Sequence, residues 1–565
     1  MIQRSAPIGR GWVWMSAVGL LLFLLIQIFP MTGQLFESHS QKVLTRAEAE
    51  RQAIRIASDK FGIAPDDVTK TTLTHVSDSK TIGYFSKNGL VKAYNEQWMR
   101  TTPADVYIAQ LRMNGIPGTL SLHLNMETGE LVSWSHAGAP LVVGGREETG
   151  AEAAAQAAEA LSYAAWRGVD PEEWTWTGAV GANGAFEFDS RKAAIGEASL
   201  RLAVVMPERH DPSASAMPAW QGGSVAYEVR LPADFLAYMK KQEDWSAKLS
   251  LFGFLLPQVL LFVLAIVYAG THGGHTSYRR GIFLSIAFFV LYAGLTFNML
   301  PGLRAGTWNQ GVGDAFNLIV SLVTYAAMAL LTYFSAVGGD GLWKSMGISL
   351  WPRWRETGYG AAVLASMKQG YFLAFILLGA QSFILLTLEK TIGSFTASDA
   401  MQSVYNMSIP LLLPLLAWCA GISEEIQSRL FGIGLLRKWL VGLARKLLGR
   451  EPSRRALGVL TTIAIVPPGL MWALGHVGYA IFPVYTRVIE LVLLSFLFGW
   501  FMLRFGLMAV IFAHVAVDAI LIGMQLMFDG LPWHFAGGVA SLLLPAAVGF
   551  VIYWLHGRLR GSGAG

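Results

Sequence analysis

Ten separate apolar runs, each a candidate for a helix that crosses a lipid bilayer, constrain the fold of this chain more than any other feature. They lie at 11–33, 251–270, 281–300, 316–337, 371–389, 408–429, 457–480, 488–503, 506–527 and 535–556. A helix that spans a membrane needs about 20 consecutive, mostly apolar residues. Only 14% of the residues are charged, against roughly 25% in a typical soluble protein. We therefore expect a polytopic α-helical membrane protein with about ten transmembrane helices.

The basic residues of the short loops are concentrated on one side of the predicted helices. That side holds Arg279, Arg280, Lys344, Arg353, Arg355, Lys368, Arg437, Lys438, Arg445, Lys446, Arg450, Arg454, Arg455, Arg504, Arg558 and Arg560. The short loops of the other side hold little more than Arg304, Lys390 and Arg487. Cytoplasmic loops carry an excess of Lys and Arg. We thus expect a multi-pass protein of the cell membrane, with both termini in the cytoplasm and residues 34–248 outside it.

These patterns divide the chain into five parts. Residues 1–33 are predicted to form an uncleaved transmembrane anchor, because no clear small-x-small cleavage site of a signal peptide follows the apolar run. Residues 34–248 are polar and form the extracytoplasmic domain, and residues 249–369 add further transmembrane helices. Residues 370–556 form the membrane core with the ionisable residues described below, and 557–565 form a cytoplasmic tail.

The extracytoplasmic domain contains an internal repeat. Thr45-Arg46-Ala47-Glu48 and Thr149-Gly150-Ala151-Glu152 each open an Ala-rich helix, and the first has the form of a capping box. Alternating apolar residues follow both helices, as in half-buried strands. We predict an α+β domain of two units, about 40–140 and 145–245, each with a helix on a small antiparallel sheet.

The two units resemble PepSY domains, in which a helix accompanies a short sheet with a turn such as Thr128-Gly129-Glu130-Leu131. This resemblance implies that the domain binds a peptide or regulates a peptidase. The alternative is a generic extracytoplasmic binding or spacer domain.

Three clusters of polar and ionisable residues lie within the apolar runs of the membrane core. They are Glu424-Glu425-x-x-x-Arg429, Trp472-x-x-x-His476 and His514-x-x-x-Asp518. A charge at the bilayer centre costs roughly 2.5–3.5 kcal/mol on insertion scales, so such residues are functional candidates. Singly, each cluster has a structural alternative: a helix-stabilising pair, a packing histidine or a satisfied buried pair. Three clusters on three apolar helices indicate one shared site.

The depths of these residues pose a geometric problem. Glu424 lies toward the cytoplasmic end of its predicted span, and His476 lies toward the outer end of the next one. They meet only if one helix is shifted, re-entrant or kinked, and Pro467-Pro468 is the natural place for a kink.

The order of the three motifs resembles the CPBP family of intramembrane proteases over roughly residues 370–556. That family contains type II CAAX prenyl endopeptidases, bacteriocin-processing and self-immunity proteins, and abortive-infection-like proteases. Two departures are visible, since Trp472 replaces the usual phenylalanine and Asp518 replaces the asparagine of the best-studied eukaryotic members. The resemblance implies an endopeptidase that hydrolyses a peptide bond of a membrane-associated protein or peptide.

By the same resemblance, four residues are expected to be catalytic. Glu424 is the general base, and His476 helps to hold the attacking water. His514 stabilises the oxyanion together with Asp518, and an aspartate in this place is expected to orient His514. Glu425 and Arg429 support the site, because their spacing of four residues puts both on one helix face where they can pair.

The metal requirement stays open at this stage. Glu424, His476 and His514 could form an open zinc site. Their spacing is not that of a His-Glu-x-x-His motif, and they come from different helices. We expect a metal-free reaction without a cofactor, with zinc as the alternative.

A rival interpretation is a non-proteolytic membrane sensor, immunity protein or binding scaffold with a structural polar cluster. A transporter would predict internal repeats among the helices, and residues 251–556 show none. The expected partners are the lipid bilayer and a membrane-associated protein or peptide substrate. Nucleic acid is not expected, because the net charge of +5 comes from loops between apolar runs.

Overall fold

The computed structural model describes residues 7–30, 42–137, 150–166, 168–181, 184–207, 222–306, 313–400 and 403–561. The predicted end of the anchor at 31–33 and the predicted capping residue Thr149 lie outside these ranges. The chain forms a sheet domain and a bundle of apolar helices, each with its own hydrophobic core.

The sheet domain follows the first helix, α1 (Arg10–Phe23), which continues as a π-helical turn over Leu24–Ile28. The first unit consists of α2 (Arg46–Phe61), β1 (Val68–Ser77), α3 (Ser79–Lys87), α4 (Val91–Gln97), β2 (Asp105–Met113), β3 (Ile116–Asn125) and β4 (Leu131–Ala137). The second unit consists of α5 (Ala151–Trp166), β5 (Trp174–Val180), β6 (Phe186–Ser190), β7 (Ser199–Val205) and β8 (Ser224–Arg230).

The eight strands form one antiparallel sheet in the order β1-β2-β3-β4-β8-β7-β6-β5. Each unit contributes four consecutive strands, and the units join where β4 pairs with β8, through Trp134 opposite Val225. The predicted α+β domain of two units is confirmed, but the two small sheets expected for them are one continuous sheet, because β4 and β8 pair across the units.

Local sequence explains why α2 begins and ends where it does. Thr45 and Glu48 form the predicted capping box, with the Thr45 N–H donating to Glu48 Oε2 at 2.8 Å. Gly62 ends the helix in the left-handed conformation at φ 69°. Ala49 and Ala53 are fully buried, and their small side chains let the helix pack closely in the core of the domain.

The helices of the membrane core begin with one long helix that leaves the sheet domain. It comprises α6 (Ala233–Leu249), a π-helical segment (Ser250–Leu255) and α7 (Leu256–His272). The others are α8 (Ile282–Asn298), α9 (Leu300–Gly306), α10 (Asp314–Ser345), α11 (Tyr359–Ile392), α12 (Leu415–Glu424), α13 (Gly434–Leu448), α14 (Arg454–Ile463), α15 (Val466–Leu474), α16 (Tyr485–Phe505), α17 (Leu507–Met527) and α18 (His534–Gly561).

Eight helices within the described residues are long and apolar enough to cross a membrane, which confirms a polytopic membrane protein. Two further predicted spans correspond to shorter or more charged helices. The first is Ile282–Asn298, an apolar helix of 17 residues. The second begins at Leu415 and carries the charges of the candidate site.

The helix with the first cluster differs from its predicted span at 408–429. It begins only at Leu415, after a 3-10 turn at Pro410–Leu412. It then continues without a break through the π-helical segment Glu425–Ile433 into α13. Glu424 therefore lies inside a long helix, not near the end of a short one.

A small junction connects the sheet domain to the segments that flank the candidate site. Two short strands, β9 (Phe395–Thr396) and β10 (Ile481–Phe482), pair with each other. Phe395 is buried in the core of the sheet domain. Asn406 is fully buried, and its side chain accepts from the His75 N–H and donates to the His75 carbonyl, both at 2.7 Å. The junction thus joins β1 to the loop that leads into α12.

Candidate active site

Three helices bring the predicted site residues together. Glu424 is the last residue of α12, and Glu425 begins the π-helical segment. His476 follows α15 by two residues. His514 lies on α17, whose membrane-spanning stretch is the most enclosed of the candidate spans. Each of the three sequence motifs therefore contributes a side chain to one place in the bundle.

The Glu424 carboxylate lies between two imidazoles. Its Oε1 is 3.8 Å from His476 Nε2, and its Oε2 is 3.8 Å from His514 Nε2. The Trp472 indole N–H donates to Oε2. About a quarter of the Glu424 side chain, 24%, is accessible, whereas the Glu425 side chain is fully buried. Of the two neighbouring glutamates, only Glu424 can meet a water molecule or a substrate.

A backbone contact fixes the orientation of His476. Its Nδ1 donates to the Trp472 carbonyl oxygen at 2.7 Å. The neutral imidazole then has no hydrogen on Nε2, so this nitrogen can accept a hydrogen bond beside Glu424. The Tyr479 ring stacks on His476, with centroids 5.7 Å apart and an interplanar angle of 14°.

His514 is oriented by Glu425. Its Nδ1 donates to Glu425 Oε1 at 2.7 Å, and this contact is buried. Asp518 was expected to orient His514, but its Oδ2 lies 3.6 Å from Nε2, beyond normal hydrogen-bond distance. The Asp518 side chain is 28% accessible. The orienting contact thus comes from the glutamate next to Glu424.

Arg429 is almost completely buried behind these residues. Its Nη1 lies 3.4 Å from Glu425 Oε1, as expected for residues four apart on a helix. Its guanidinium lies 4.1 Å from the centroid of the Trp472 ring and 4.9 Å from that of Phe498. Two aromatic faces and one carboxylate therefore compensate the buried charge.

The zinc alternative concerns the donor atoms of the same three side chains. In the described part of the chain, no group of three or more His, Cys, Asp or Glu side chains could hold a metal ion. Glu424 Oε2 already accepts the indole N–H of Trp472. His514 Nδ1 donates to Glu425 and His476 Nδ1 donates to a backbone carbonyl, so the Nε2 atoms of both rings are the ones directed at Glu424. Zinc held by Glu424, His476 and His514 stays the alternative to a metal-free site.

A second buried ionic group lies beside the site and was not singled out from the sequence. Glu490 is fully buried and accepts from Arg487 Nη1 at 2.8 and 2.9 Å and from Gln381 Nε2 at 2.7 Å. The Arg487 guanidinium lies 5.1 Å from the centroid of Tyr479, which stacks on His476. The sequence signal that could have predicted this pair is an Arg and a Glu three residues apart at the start of an apolar run.

Comparison with known families gives one match in this region. Residues 406–520 match the family model described as type II CAAX prenyl endopeptidase Rce1-like. This region is therefore similar to the CPBP family. The predicted resemblance to CPBP intramembrane proteases is thereby confirmed for the part of the chain that contains all three motifs.

The match makes the membrane core of this chain similar to CAAX-type intramembrane proteases. No curated protein and no solved structure matches the chain. The resemblance of the sheet domain to PepSY domains is not shown by these comparisons and stays a prediction.

Proposed function

We propose that this chain is an intramembrane endopeptidase that hydrolyses a peptide bond in a membrane-associated protein or peptide. The observation that carries the proposal is the position of Glu424 between His476 and His514, at 3.8 Å from each imidazole. Three helices place these groups in the interior of an apolar bundle. The CPBP match over residues 406–520 supports proteolysis as the reaction class.

Glu424 is the general base in this proposal, and a water molecule is the nucleophile. Glu424 Oε1 and His476 Nε2 are close enough together for one water to donate a hydrogen bond to both. As the water oxygen bonds to the substrate carbonyl carbon, one proton passes to the carboxylate. The same proton is then delivered to the departing amine nitrogen as the C–N bond breaks, which regenerates ionised Glu424.

His514 stabilises the oxyanion of the tetrahedral intermediate. Glu425 holds its Nδ1, so Nε2 is the atom that faces the reacting carbonyl. As an imidazolium, His514 donates through Nε2, and the carboxylates of Glu424, Glu425 and Asp518 balance its charge. Asp518 contributes to this balance, and the orientation of the ring comes from Glu425.

We propose a reaction without a metal ion or cofactor. Glu424 and His476 can activate a water and His514 can polarise the substrate carbonyl, so the proposed reaction does not require a Lewis acid. The proposed location is the cell membrane, with both termini in the cytoplasm and the sheet domain outside. The sheet domain is proposed to bind a peptide or to regulate the protease core.

The test compares peptides released in native membranes by the wild type, Glu424→Ala and His476→Ala at equal protein levels. Mass spectrometry identifies the products, with and without a zinc chelator. Products should fall below detection in Glu424→Ala and drop at least tenfold in His476→Ala. Chelation should change neither the products nor their rate of formation.

Two outcomes would contradict the proposal. Identical peptides from the wild type and both variants, with both variants rescuing a deletion phenotype, would make the polar cluster structural and favour a binding scaffold. Loss of wild-type products with the chelator, restored by added zinc, would overturn the metal-free mechanism alone.

A further inference from the structure

Trp472 contacts the groups on which the proposed reaction depends. Its indole N–H donates to Glu424 Oε2, and its backbone carbonyl accepts from His476 Nδ1 at 2.7 Å. The Arg429 guanidinium lies 4.1 Å from its ring centroid. The Trp472 and His514 rings form a T-shaped contact with centroids 6.1 Å apart. Trp472 is therefore a shared neighbour of the base, both imidazoles and the buried cation.

The two oxygens of Glu424 are made unequal by this contact. Oε2 accepts the indole hydrogen bond, and Oε1 is the oxygen that faces His476 Nε2. A carboxylate with one oxygen held cannot rotate freely about its terminal bond. The other oxygen then stays directed at the position of the attacking water.

We propose that Trp472 is a positioning residue for Glu424, whose N–H fixes which carboxylate oxygen receives the proton of water. This inference rests on the proposed role of Glu424 as the general base. Misplacement of a catalytic group by about 1 Å can cost 100-fold in rate. Fixing the orientation of the Glu424 carboxylate thus raises the reaction rate, and Trp472 does not need to touch the substrate to do so.

The chemistry of the residue explains why this contribution is separable from packing. Phenylalanine, the usual residue of the CPBP motif at this place, provides an aromatic face but no donor. A phenylalanine ring at position 472 can still pack against Arg429, as the indole ring does. Trp472→Phe therefore removes the N–H contact to Glu424 and keeps an aromatic neighbour for the cation.

The test measures kcat and KM for the full-length chain in lipid vesicles. The substrate is a quenched fluorescent peptide that spans the bond identified by the membrane comparison above. Trp472→Phe should lower kcat by roughly 10- to 100-fold, the loss of one hydrogen bond to a charged group. KM should stay within about twofold, because Glu424 acts on water and does not bind the substrate in its ground state.

A matched variant controls for loss of an indole elsewhere in the same core. Trp418 lies on α12, like Glu424, but packs edge-to-face on Phe512 with centroids 5.7 Å apart. Trp418→Phe should leave kcat and KM unchanged. Wild-type kcat in Trp472→Phe, or a change confined to KM, would overturn the proposal.

A second replacement separates misfolding from the loss of the donor. Benzothienylalanine at position 472 keeps the shape of the indole but has sulfur in place of the N–H. It should reproduce the fall in kcat with an unfolding midpoint like that of the wild type. Wild-type kcat with this side chain would overturn the proposal even if Trp472→Phe folds poorly.

A thermodynamic cycle distinguishes failure of this inference from failure of the proposed function. The unfolding midpoints of Trp472→Phe, Glu424→Ala and the double variant should be non-additive, because both single changes remove the same contact. If Glu424→Ala is active but the midpoints are non-additive, the proposed function fails while the contact stands. Additive midpoints would show that Trp472 does not hold Glu424.

Discussion

Arg429 shows how the site handles charge at the scale of single residues. Its side chain is 1% exposed, and its three guanidinium nitrogens have no hydrogen-bond partner among the described residues. A guanidinium normally offers five N–H donors. Here the carboxylate of Glu425 and the ring faces of Trp472 and Phe498 stabilise the charge in place of hydrogen-bond acceptors. The stability of this region therefore depends on a few specific neighbours.

Replacing Arg429 by methionine should destabilise the protein. Removing one partner leaves the carboxylate of Glu425 buried without its cation, and breaking a buried pair costs about 3–5 kcal/mol. The measurement is the free energy of unfolding in a denaturant titration of the purified protein in detergent. Adding Glu425→Gln to Arg429→Met should recover part of the loss. Equal or greater instability of the double variant would contradict the role of the pair.

The residue scale also shows what sequence spacing can and cannot predict. Spacing alone indicated that Glu425 and Arg429 could pair, because residues four apart share a helix face. It did not indicate that Glu425 holds His514 Nδ1, since that contact crosses from one helix to another. It also gave no sign of the contact between Trp472 and Glu424. Partners on different helices depend on how the helices pack, which one sequence does not specify.

At the scale of elements, close packing of α12 on α17 brings the Glu424 carboxylate near the His514 imidazole. Gly421 lies one turn before Glu424 and faces α17. A Cβ added at Gly421 would come within 2.6 Å of Val515 Cγ2 and 3.3 Å of the Ile511 carbonyl oxygen. The absence of a side chain at Gly421 therefore sets the distance between the two helices at the level of the site.

Gly421→Val should reduce activity by separating these helices. Overpacking of a tight contact typically costs about 1–3 kcal/mol, and a shift of about 1 Å at the site can cost 100-fold in rate. The readout is cleavage rate together with the unfolding midpoint. Gly442→Val is the control, because no atom lies within 4 Å of its added Cβ. Equal rates in the two variants would show that Gly421 does not set the site distance.

Helix boundaries explain how residues predicted at different depths come together. The helix with Glu424 begins later than predicted, at Leu415, and continues as one helix to Leu448. Two residues in a turn separate α14 from α15, and Pro467 and Pro468, the predicted place for a kink, lie in the first turn of α15. Proline is tolerated there because the first-turn N–H groups have no intrahelical partner. The apolar runs predicted both helices, but not where each one starts.

At the scale of the whole molecule, the sheet domain is fastened to the segments on either side of the site. Asn406 binds β1 ahead of α12. Ser246 of α6 donates to the carbonyl of Val477 at 2.8 Å, one residue after His476. The Val484 N–H donates to Gln242 Oε1 at 2.9 Å. Contacts from β1 and from α6, the helix that leaves the sheet domain, therefore hold the segments on either side of the site.

Asn406→Ala should loosen this junction. The change leaves the buried N–H and carbonyl of His75 without these partners, at a cost of roughly 1–3 kcal/mol for each unsatisfied group. Hydrogen exchange of the full chain should become faster in β1 and in residues 403–410. Asn88→Ala is the control, since Asn88 bonds only within its own unit, to the Tyr84 carbonyl. Unchanged exchange in both segments would contradict a fastening role for Asn406.

At this scale the sequence predicted the two repeat units, but neither their joining into one sheet nor the junction at Asn406. Capping residues and alternating strands predicted two similar units. Nothing in the alternation indicated that β4 and β8 would join them into one sheet. The junction was equally hidden, because it depends on Asn406, whose partner His75 is more than three hundred residues away in sequence.

This fastening sets an order of events during synthesis. Residues 42–230 leave the ribosome long before Phe395, Asn406 and Phe482, which complete the edge and core of the sheet domain. At about 5–20 residues per second, the interval up to Phe482 is roughly 10–50 s. During that time the backbone N–H and carbonyl of His75 in β1 lack their Asn406 partner, and open backbone groups at a strand edge invite pairing with other chains. Completion of the sheet domain thus waits for contacts that the membrane core supplies.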